Sequence, residues 1–204
     1  MKKNIIYLFI CMCYSSDFLP DNNALINYTQ VFFQWPQIEN SNNYQLTIFS
    51  DLNEPIISNC LSNSLINDEL LNWNTNYIWE VCGLDSLNLV IDCHQQKVFS
   101  INSLPAYYPS QIEVISLSDE YYYEGFTIVD FDSEGFSVVL DKYGIPIWFV
   151  DKYLFGTFNP KILVTQLLKS GNYIGIGIGS GYEFDINGNI FFETPSVYGA
   201  HHHF

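Results

Sequence analysis

Short runs of alternating apolar and polar residues, separated by tight turns, recur along almost the whole chain. In residues 44–50, Tyr44, Leu46 and Ile48 fall on one face of an extended strand, and the residues between them fall on the other. Residues 76–82 repeat this pattern. Aromatic residues make up 17% of the chain, and they favour pleated sheet. The sequence therefore predicts an all-β protein.

The runs in the first half of the chain predict a β-sandwich, because short strands with frequent Asn, Asp and Ser between them are typical of that fold. The predicted strands are residues 30–35, 44–50, 56–57, 76–82 and 97–101. The first half of the chain resembles a fibronectin type III or immunoglobulin-like domain. The B, C and F strands of such a domain correspond to residues 33–36, 42–48 and 74–81. This resemblance covers about residues 22–103 and implies that Trp35 and Trp79 are core residues.

The second half of the chain has a different composition, and a proline-containing linker at residues 104–110 separates it from the first half. Eleven of the twelve glycines lie beyond this linker, and the strand-like runs follow one another more closely. These runs are residues 126–131, 136–140, 145–150, 162–168, 173–178, 182–184 and 189–192.

A repeated turn suggests how these later strands are arranged. The turn from Asp141 to Gly144 recurs from Asp185 to Gly188, 44 positions further on. An Asp-x-x-Gly turn joins two antiparallel strands, because the Asp side chain caps the turn and the glycine supplies a positive φ. Recurrence at the spacing of a four-stranded unit predicts propeller blades, and ordinary antiparallel hairpins are the alternative.

The first residues read as an export signal over residues 1–16. Two lysines precede an apolar run of nine residues, 5–13. A membrane-spanning helix needs ~20 residues, so export to the periplasm or the extracellular space is expected and a stable membrane span is not. A lipid anchor on Cys11 or Cys13 is one alternative, and a short buried strand is another.

Charge composition narrows the expected partners. The chain has 7 lysines, no arginine and 22 acidic residues, which give a net charge of −15. Nucleic acid and anionic lipid both require cationic contacts, so neither is an expected partner. Bidentate binding of sulfate or phosphate usually depends on Arg, so an anion here would have to be held by Lys, His, backbone N–H groups or another chain.

Cysteine and asparagine motifs leave several alternatives open. Cys60, Cys82 and Cys93 lie in the predicted sandwich, and two of them can pair in an exported protein. Pairing of Cys82 with Cys93 requires that their strands form a hairpin. A metal site from these cysteines and His94 is not predicted, because no Cys-x-x-Cys spacing supports it. Residues 27–29 fit a glycosylation sequon, which has meaning only in a eukaryotic secretory route.

Six segments of the second half carry a resemblance to a known family. They are residues 125–128, 141–148, 165–173, 181–185, 193–195 and 199–204. From about residue 124 onward the chain resembles the arylsulfotransferase family, the bacterial-type enzymes that use no nucleotide sulfate donor. That family pairs an N-terminal β-sandwich with a six-bladed propeller. The resemblance therefore implies a sandwich followed by the first one or two blades of an incomplete β-propeller over residues 104–204.

The resemblance also implies a reaction and a pair of site residues. The reaction is transfer of a sulfuryl group from a phenolic sulfate ester to a phenol through a histidine intermediate, without a cofactor. His201 and His202 align with the family's His-His pair at a strand end that faces the propeller channel. They are expected to position sulfate or to move a proton, since imidazoles do both. The family commonly has Asp where this chain has His203.

Length sets the expectation for activity. Six blades of ~45 residues would need about 270 residues, whereas about 100 follow the linker. The family's covalent histidine and essential arginine lie in later blades, so the chain is expected to be an N-terminal fragment, or the product of a broken reading frame, inactive alone.

Two further hypotheses remain at this stage. The first is a non-catalytic secreted β-protein, a binding or adhesion module whose aromatic face meets a ligand. The second is that the terminal histidines form a frayed tail or a metal site. Neighbouring residues on one strand point to opposite faces, which argues against the metal site. A homo-oligomer is left open.

Overall fold

The computed structural model describes residues 18–67, 71–109, 112–113, 125–151, 153 and 161–194. Within these residues every helix or strand is a β-strand, so the predicted all-β class is confirmed. The strands form several sheets, none of which closes on itself in the described part of the chain. Over the same residues, no apolar helix reaches membrane-spanning length. The predicted signal at residues 1–16 lies outside the described residues.

We call the first half the N-terminal unit. Its strands are β1 (Ala24–Ile26), β2 (Phe32–Gln34), β3 (Asn43–Phe49), β4 (Ile56–Cys60), β5 (Ser64–Ile66), β6 (Thr75–Leu84), β7 (Val90–Cys93) and β8 (Lys97–Ile101). The main sheet has the order β1-β8-β6-β3-β4, and β7 pairs with the far half of β6. Only the β1–β8 pair among these is parallel. Strands β2 and β5 form a separate antiparallel pair.

The core of the N-terminal unit follows from the alternation seen in the sequence. Along β6, Trp79 and Val81 are buried, whereas Ile78, which precedes Trp79 and lies on the opposite face of the sheet, is exposed. Phe33 and Trp35, from the β2 region, are fully buried in the same core. Burial of each such side chain contributes about 1.5–3 kcal/mol. Two layers thus pack over one core, an arrangement consistent with a β-sandwich.

The second half forms the C-terminal unit. Its strands are β9 (Thr127–Phe131), β10 (Phe136–Leu140), β11 (Pro146–Val150), β12 (Leu163–Leu167), β13 (Tyr173–Ile176), β14 (Gly181–Phe184) and β15 (Ile190–Glu193). Strands β9, β10 and β11 make a three-stranded antiparallel sheet, and β12 to β15 make a four-stranded one in chain order. Both sheets are meanders, as their short connecting turns require.

The two sheets of the C-terminal unit pack against each other through stacked aromatic rings. The rings of Trp148 and Tyr173 are stacked with centroids 4.6 Å apart, and Tyr173 stacks on Phe184 at 5.7 Å. The indole N–H of Trp148 donates to the carbonyl oxygen of Ile186 at 2.8 Å. The opposite face of β10 is also covered, because the ring of Phe136 packs on the ring of Tyr107 with centroids 5.2 Å apart. The segment predicted as a linker therefore packs on the sheet.

Residues 27–29, between β1 and β2, bind the otherwise open edge of β11. Thr29 N donates to Ile147 O at 2.9 Å, and Phe149 N donates to Asn27 O at 3.3 Å. The side-chain amide of Asn27 donates to Phe149 O, and Tyr28 pairs antiparallel with Trp148. This segment gives the β9–β11 sheet a fourth strand position and joins the two units by main-chain hydrogen bonds.

Candidate functional site

The predicted site residues His201 and His202 lie outside the described residues, as does His203. The structure describes the sheet that leads to them as far as Thr194. That sheet is well anchored at its end: Gly181 N donates to Thr194 Oγ1 at 2.7 Å, and Thr194 N donates to Gly181 O at 2.9 Å. The end of β15 is thereby fixed to the start of β14.

The turn from Asp185 to Gly188 connects β14 to β15 and closes through its aspartate. Asp185 Oδ1 accepts hydrogen bonds from Asn187 N and Asn189 N, both at 2.9 Å. Gly188 has a φ of 82°, a conformation that L side chains rarely adopt. The predicted combination of side-chain capping and positive φ is confirmed at this turn.

The turn from Asp141 to Gly144, between β10 and β11, has the same hydrogen bonds. Asp141 Oδ1 accepts from Tyr143 N at 2.9 Å and from Ile145 N at 2.8 Å, and the φ of Gly144 is 79°. The two halves of the sequence repeat are therefore structurally equivalent hairpin turns.

A third turn of this kind lies in the N-terminal unit, where sequence reasoning missed it. Asp85 Oδ1 accepts from Leu87 N at 2.8 Å and Leu89 N at 2.9 Å, and Asn88 takes the positive φ, 62°. Asparagine tolerates this conformation better than other L residues, so an Asp-x-x-[Gly/Asn] search would have found it. Because this turn occurs in both units, it indicates a hairpin and not a particular kind of sheet.

The structure shows which of the three cysteines in the N-terminal unit form a disulfide. Cys82 of β6 and Cys93 of β7 are directly opposed in the sheet and form a disulfide. Cys60 is a free thiol, and burial raises its pKa. Among the described residues, no cluster of His, Cys, Asp and Glu could hold a metal ion.

His94 is a half-buried residue of the N-terminal unit, not an element of the predicted site. Its Nε2 lies 2.9 Å from the carbonyl oxygen of Pro36, and its ring meets Phe18 edge-on with centroids 5.1 Å apart. Both contacts hold the imidazole against the sandwich layers. A structural role accounts for them.

Buried tyrosines keep their protons to unusually high pH. Burial, and then the negative charge of Asp185, raises the pKa of Tyr28 to about 12. Burial also raises the pKa of Tyr173. The pKa of Tyr107 is raised by burial first and then by its hydrogen bond to Asp151. These phenols therefore act as neutral packing groups and donors at ordinary pH.

Sequence reasoning also missed a cleft between the two units. It has a volume of about 590 Å³ and is lined by Leu25, Tyr107, Phe149, Asp151 and Tyr153, among others. Asp151, which carries a polar carboxyl group, is only 6% exposed. No periodic signal in the sequence marks the cleft, because its walls come from three separate parts of the chain.

Comparison with known proteins gives no family assignment. No protein-family model matches the chain. A search of curated proteins likewise found no match.

Proposed function

We propose that this chain is part of an arylsulfotransferase-type protein and supplies its β-sandwich and its first two propeller blades. In this proposal His201 and His202 face the propeller channel, where they hold the sulfate group or move a proton. The reaction transfers a sulfuryl group from a phenolic sulfate ester to a phenol. The protein is exported, and this chain alone does not turn over.

One observation carries the proposal, and it concerns the arrangement of the two later sheets. A propeller blade is a four-stranded antiparallel sheet, and successive blades pack face to face around a channel. Counting residues 27–29, each of the two sheets has four strand positions in antiparallel order. The first strand of the second sheet, β12, packs against β9 and β10 of the first. Blades placed side by side require such a contact between their inner strands.

Two hydrogen bonds support this placement of β12. Ile162 N donates to Gly135 O at 3.0 Å, and Val164 N donates to Ser137 Oγ at 2.8 Å. Ile162 and Val164 are also part of the apolar core shared by the two sheets. These contacts support the proposal, which needs the first strand of each blade to lie beside that of its neighbour.

The chemistry is that of two successive displacements at sulfur. A histidine nitrogen attacks the sulfur of the donor ester, the sulfur–oxygen ester bond breaks, and the phenolate leaves and takes a proton. The acceptor phenol then loses a proton as it attacks the sulfuryl group, which restores the histidine. By resemblance, the covalent histidine belongs to a later blade. His201 and His202 would neutralise the sulfuryl oxygens, a role that the absence of arginine leaves to imidazole and lysine.

The proposal is tested by following the imidazole resonances during titration with 4-nitrophenyl sulfate. In histidine-labelled protein, the signals of His201 and His202 are expected to shift in a saturable way, whereas those of His94 stay unchanged. His201→Ala and His202→Ala assign the signals and are expected to weaken binding. Unchanged resonances of both histidines throughout the titration would count against the proposal.

An assay of turnover tests the other part of the proposal, that this chain alone is inactive. Purified protein is expected to transfer no sulfuryl group from 4-nitrophenyl sulfate to phenol, because the proposal assigns the covalent step to a histidine of a later blade. Sustained transfer by this chain would show that the division of roles is wrong.

A binding or adhesion module is the second candidate, and the surface of β15 favours it. Phe191 and Phe192 are 62% and 56% exposed, and Phe192 lines a small apolar pocket with Ile174 and Tyr182. Phenolic ligands would then bind without the histidines. Loss of 4-nitrophenyl sulfate binding in Phe192→Ala, with normal binding in His201→Ala and His202→Ala, would favour this module over the enzyme.

A further inference from the structure

The outer face of the main sheet carries an apolar strip that crosses three strands. Phe49 of β3 lies opposite Ile78 of β6, and Ile78 in turn lies opposite Val98 of β8. The residues that flank them along each strand point into the core, so these three side chains point away from it. Ile78 and Val98 are 42% and 37% exposed, and Phe49 is half-buried. The strip therefore forms an apolar floor on the surface of the N-terminal unit.

Polar groups stand beside this floor and complete a pocket of about 370 Å³. Asn76 lies opposite Ser100, and its amide oxygen accepts a hydrogen bond from the Ser100 hydroxyl at 2.6 Å. That bond orients the amide and leaves its nitrogen, a double donor, without a hydrogen-bond partner among the described residues.

The acceptor of the pocket is Asp51, which lies two residues beyond the end of β3. Its side chain is exposed, and within the described part of the chain it makes neither an ion pair nor a hydrogen bond. A carboxylate has two acceptor oxygens and can therefore accept from two neighbouring hydroxyls at once. The pocket thus presents one unused acceptor and one unused donor beside an apolar floor.

This combination suits a neutral sugar better than a charged ligand. The C–H groups on one face of a sugar ring pack on apolar side chains, while its hydroxyls both donate and accept hydrogen bonds. An anion would meet no lysine or histidine among the described residues that line the pocket, and the net charge of −15 would repel it. An ammonium ion would gain little from Asp51 alone, because an ion pair at an exposed carboxylate is weak.

We propose that this pocket binds a neutral sugar. One face of the ring packs on Ile78 and Val98 beside Phe49, Asp51 accepts hydrogen bonds from ring hydroxyls, and the Asn76 amide donates to a hydroxyl oxygen. The volume of about 370 Å³ lies near the lower end of the ~300–1,000 Å³ typical of small-molecule sites, which fits a short sugar. The site lies wholly in the N-terminal unit and does not depend on the proposed sulfuryl transfer.

Titration of the ¹⁵N-labelled full chain with methyl glycosides tests the site by nuclear magnetic resonance. The probes are the methyl glycosides of glucose, galactose, mannose and N-acetylglucosamine, and methyl glucuronide is the anionic control. At least one neutral probe is expected to shift the amide signals of residues 49–51, 76–78 and 98–100 in a saturable way at millimolar concentrations, whereas the glucuronide does not. No saturable shift with any neutral probe, or equal binding of the glucuronide, would overturn the proposal.

The free sugars distinguish the two sources of such a ligand. The methyl group of each probe stands in for the next unit of a glycan. Binding of the methyl glycoside as tight as that of the free sugar assigns the pocket to a glycan, and clearly tighter binding of the free sugar assigns it to a monosaccharide.

One pair of variants tests the acceptor. Asp51→Ala removes the carboxylate at an exposed position, so sugar binding is expected to weaken at least about tenfold. Asp92→Ala, at an exposed position on β7, is the control and should bind normally. Equal binding by the two variants would show that Asp51 does not hold the ligand.

A second pair tests the floor. Ile78→Glu places a charged side chain on the apolar strip, whereas Ile57→Glu makes the same change on β4 at an isoleucine that is 59% exposed and does not line the pocket. Sugar binding is expected to be lost only in Ile78→Glu. If both glutamate variants bind the sugar equally, the site does not lie on this strip. Near-ultraviolet circular dichroism checks that Ile78→Glu folds, and the exposed Asp51 pair decides the matter if it does not.

Discussion

Three hairpins of this protein are each closed by one side-chain oxygen of an aspartate. The three aspartates are Asp85, Asp141 and Asp185. In each case two backbone N–H groups of the turn donate to the same carboxylate oxygen. The turn therefore needs an acceptor at this position more than it needs a charge. Asparagine supplies such an acceptor, and alanine does not.

Substitution of Asp185 separates these two properties. Asp185→Ala is expected to lower the free energy of unfolding by about 1 kcal/mol or more, because two turn amides lose their acceptor. Asp185→Asn should retain most of that stability. Urea denaturation measures both. Equal losses in the two variants would mean that the charge, and not the hydrogen bonds, is what matters.

The buried phenol of Tyr28 gives a prediction for alkaline pH. Its pKa is raised to about 12 in the folded protein, above the ordinary value of 10.0. The folded state therefore holds this proton more tightly than the unfolded state does. The contribution to stability is complete below pH 10 and is lost as the pH rises from 10 towards 12.

Tyr28→Phe removes this titrating group and should flatten the fall in stability over that pH range. The slope of unfolding free energy against pH is expected to become shallower by up to about 1.4 kcal/mol per pH unit. Denaturation at a series of pH values measures the slope. An unchanged slope would show that Tyr28 does not titrate in this window.

At the scale of single elements, the local sequence pattern predicts the positions of strands much better than it predicts which strands pair. The alternation in residues 44–50 and 76–82 correctly places β3 and β6, and the run at Lys97–Ile101 coincides with β8. Sequence reasoning missed β1, β5 and β7, which are short and have little alternation. It could not foresee the parallel β1–β8 pair, because such pairing depends on contacts between residues distant in sequence.

The cross-unit strand at residues 27–29 escaped prediction for the same reason. The sequence marks it only as a glycosylation sequon, yet Asn27 is 2% exposed and its amide nitrogen donates to Phe149 O. In the folded protein this nitrogen is therefore not open to a modifying enzyme. Its partner on β11 lies more than a hundred residues away, so no local pattern could reveal the contact.

Removal of the Asn27 side chain tests how much the segment at residues 27–29 contributes to stability. Asn27→Ala is expected to cost about 1–3 kcal/mol of unfolding free energy, because a buried carbonyl loses its donor. Asn59→Ala, at an exposed side-chain pair with Gln45, is the control and should change stability by less than about 0.5 kcal/mol. Urea denaturation compares them. Similar small effects in both would show that the segment binds β11 without stabilising it.

At the scale of the whole molecule, the contact of the two units bears on the proposed function. The predicted site of sulfuryl transfer, His201 and His202, lies outside the described residues, so its place in a channel remains a prediction. The sheet that precedes them, β12 to β15, packs on the β9–β11 sheet. The N-terminal unit holds the β9–β11 sheet through residues 27–29 and through Trp73, whose indole donates to Pro146 O at 3.2 Å. The same contact brings together the walls of the cleft between the two units.

Units joined in this way should unfold together. Main-chain bonds to β11 and the burial of Tyr28 in the C-terminal core mean that neither unit can open without exposing surface on the other. Native-state hydrogen exchange at rising urea concentration is therefore expected to give one common opening free energy for the central strands β6 and β14. Two separate isotherms would show independent units, and the cleft between them would then open and close without unfolding either.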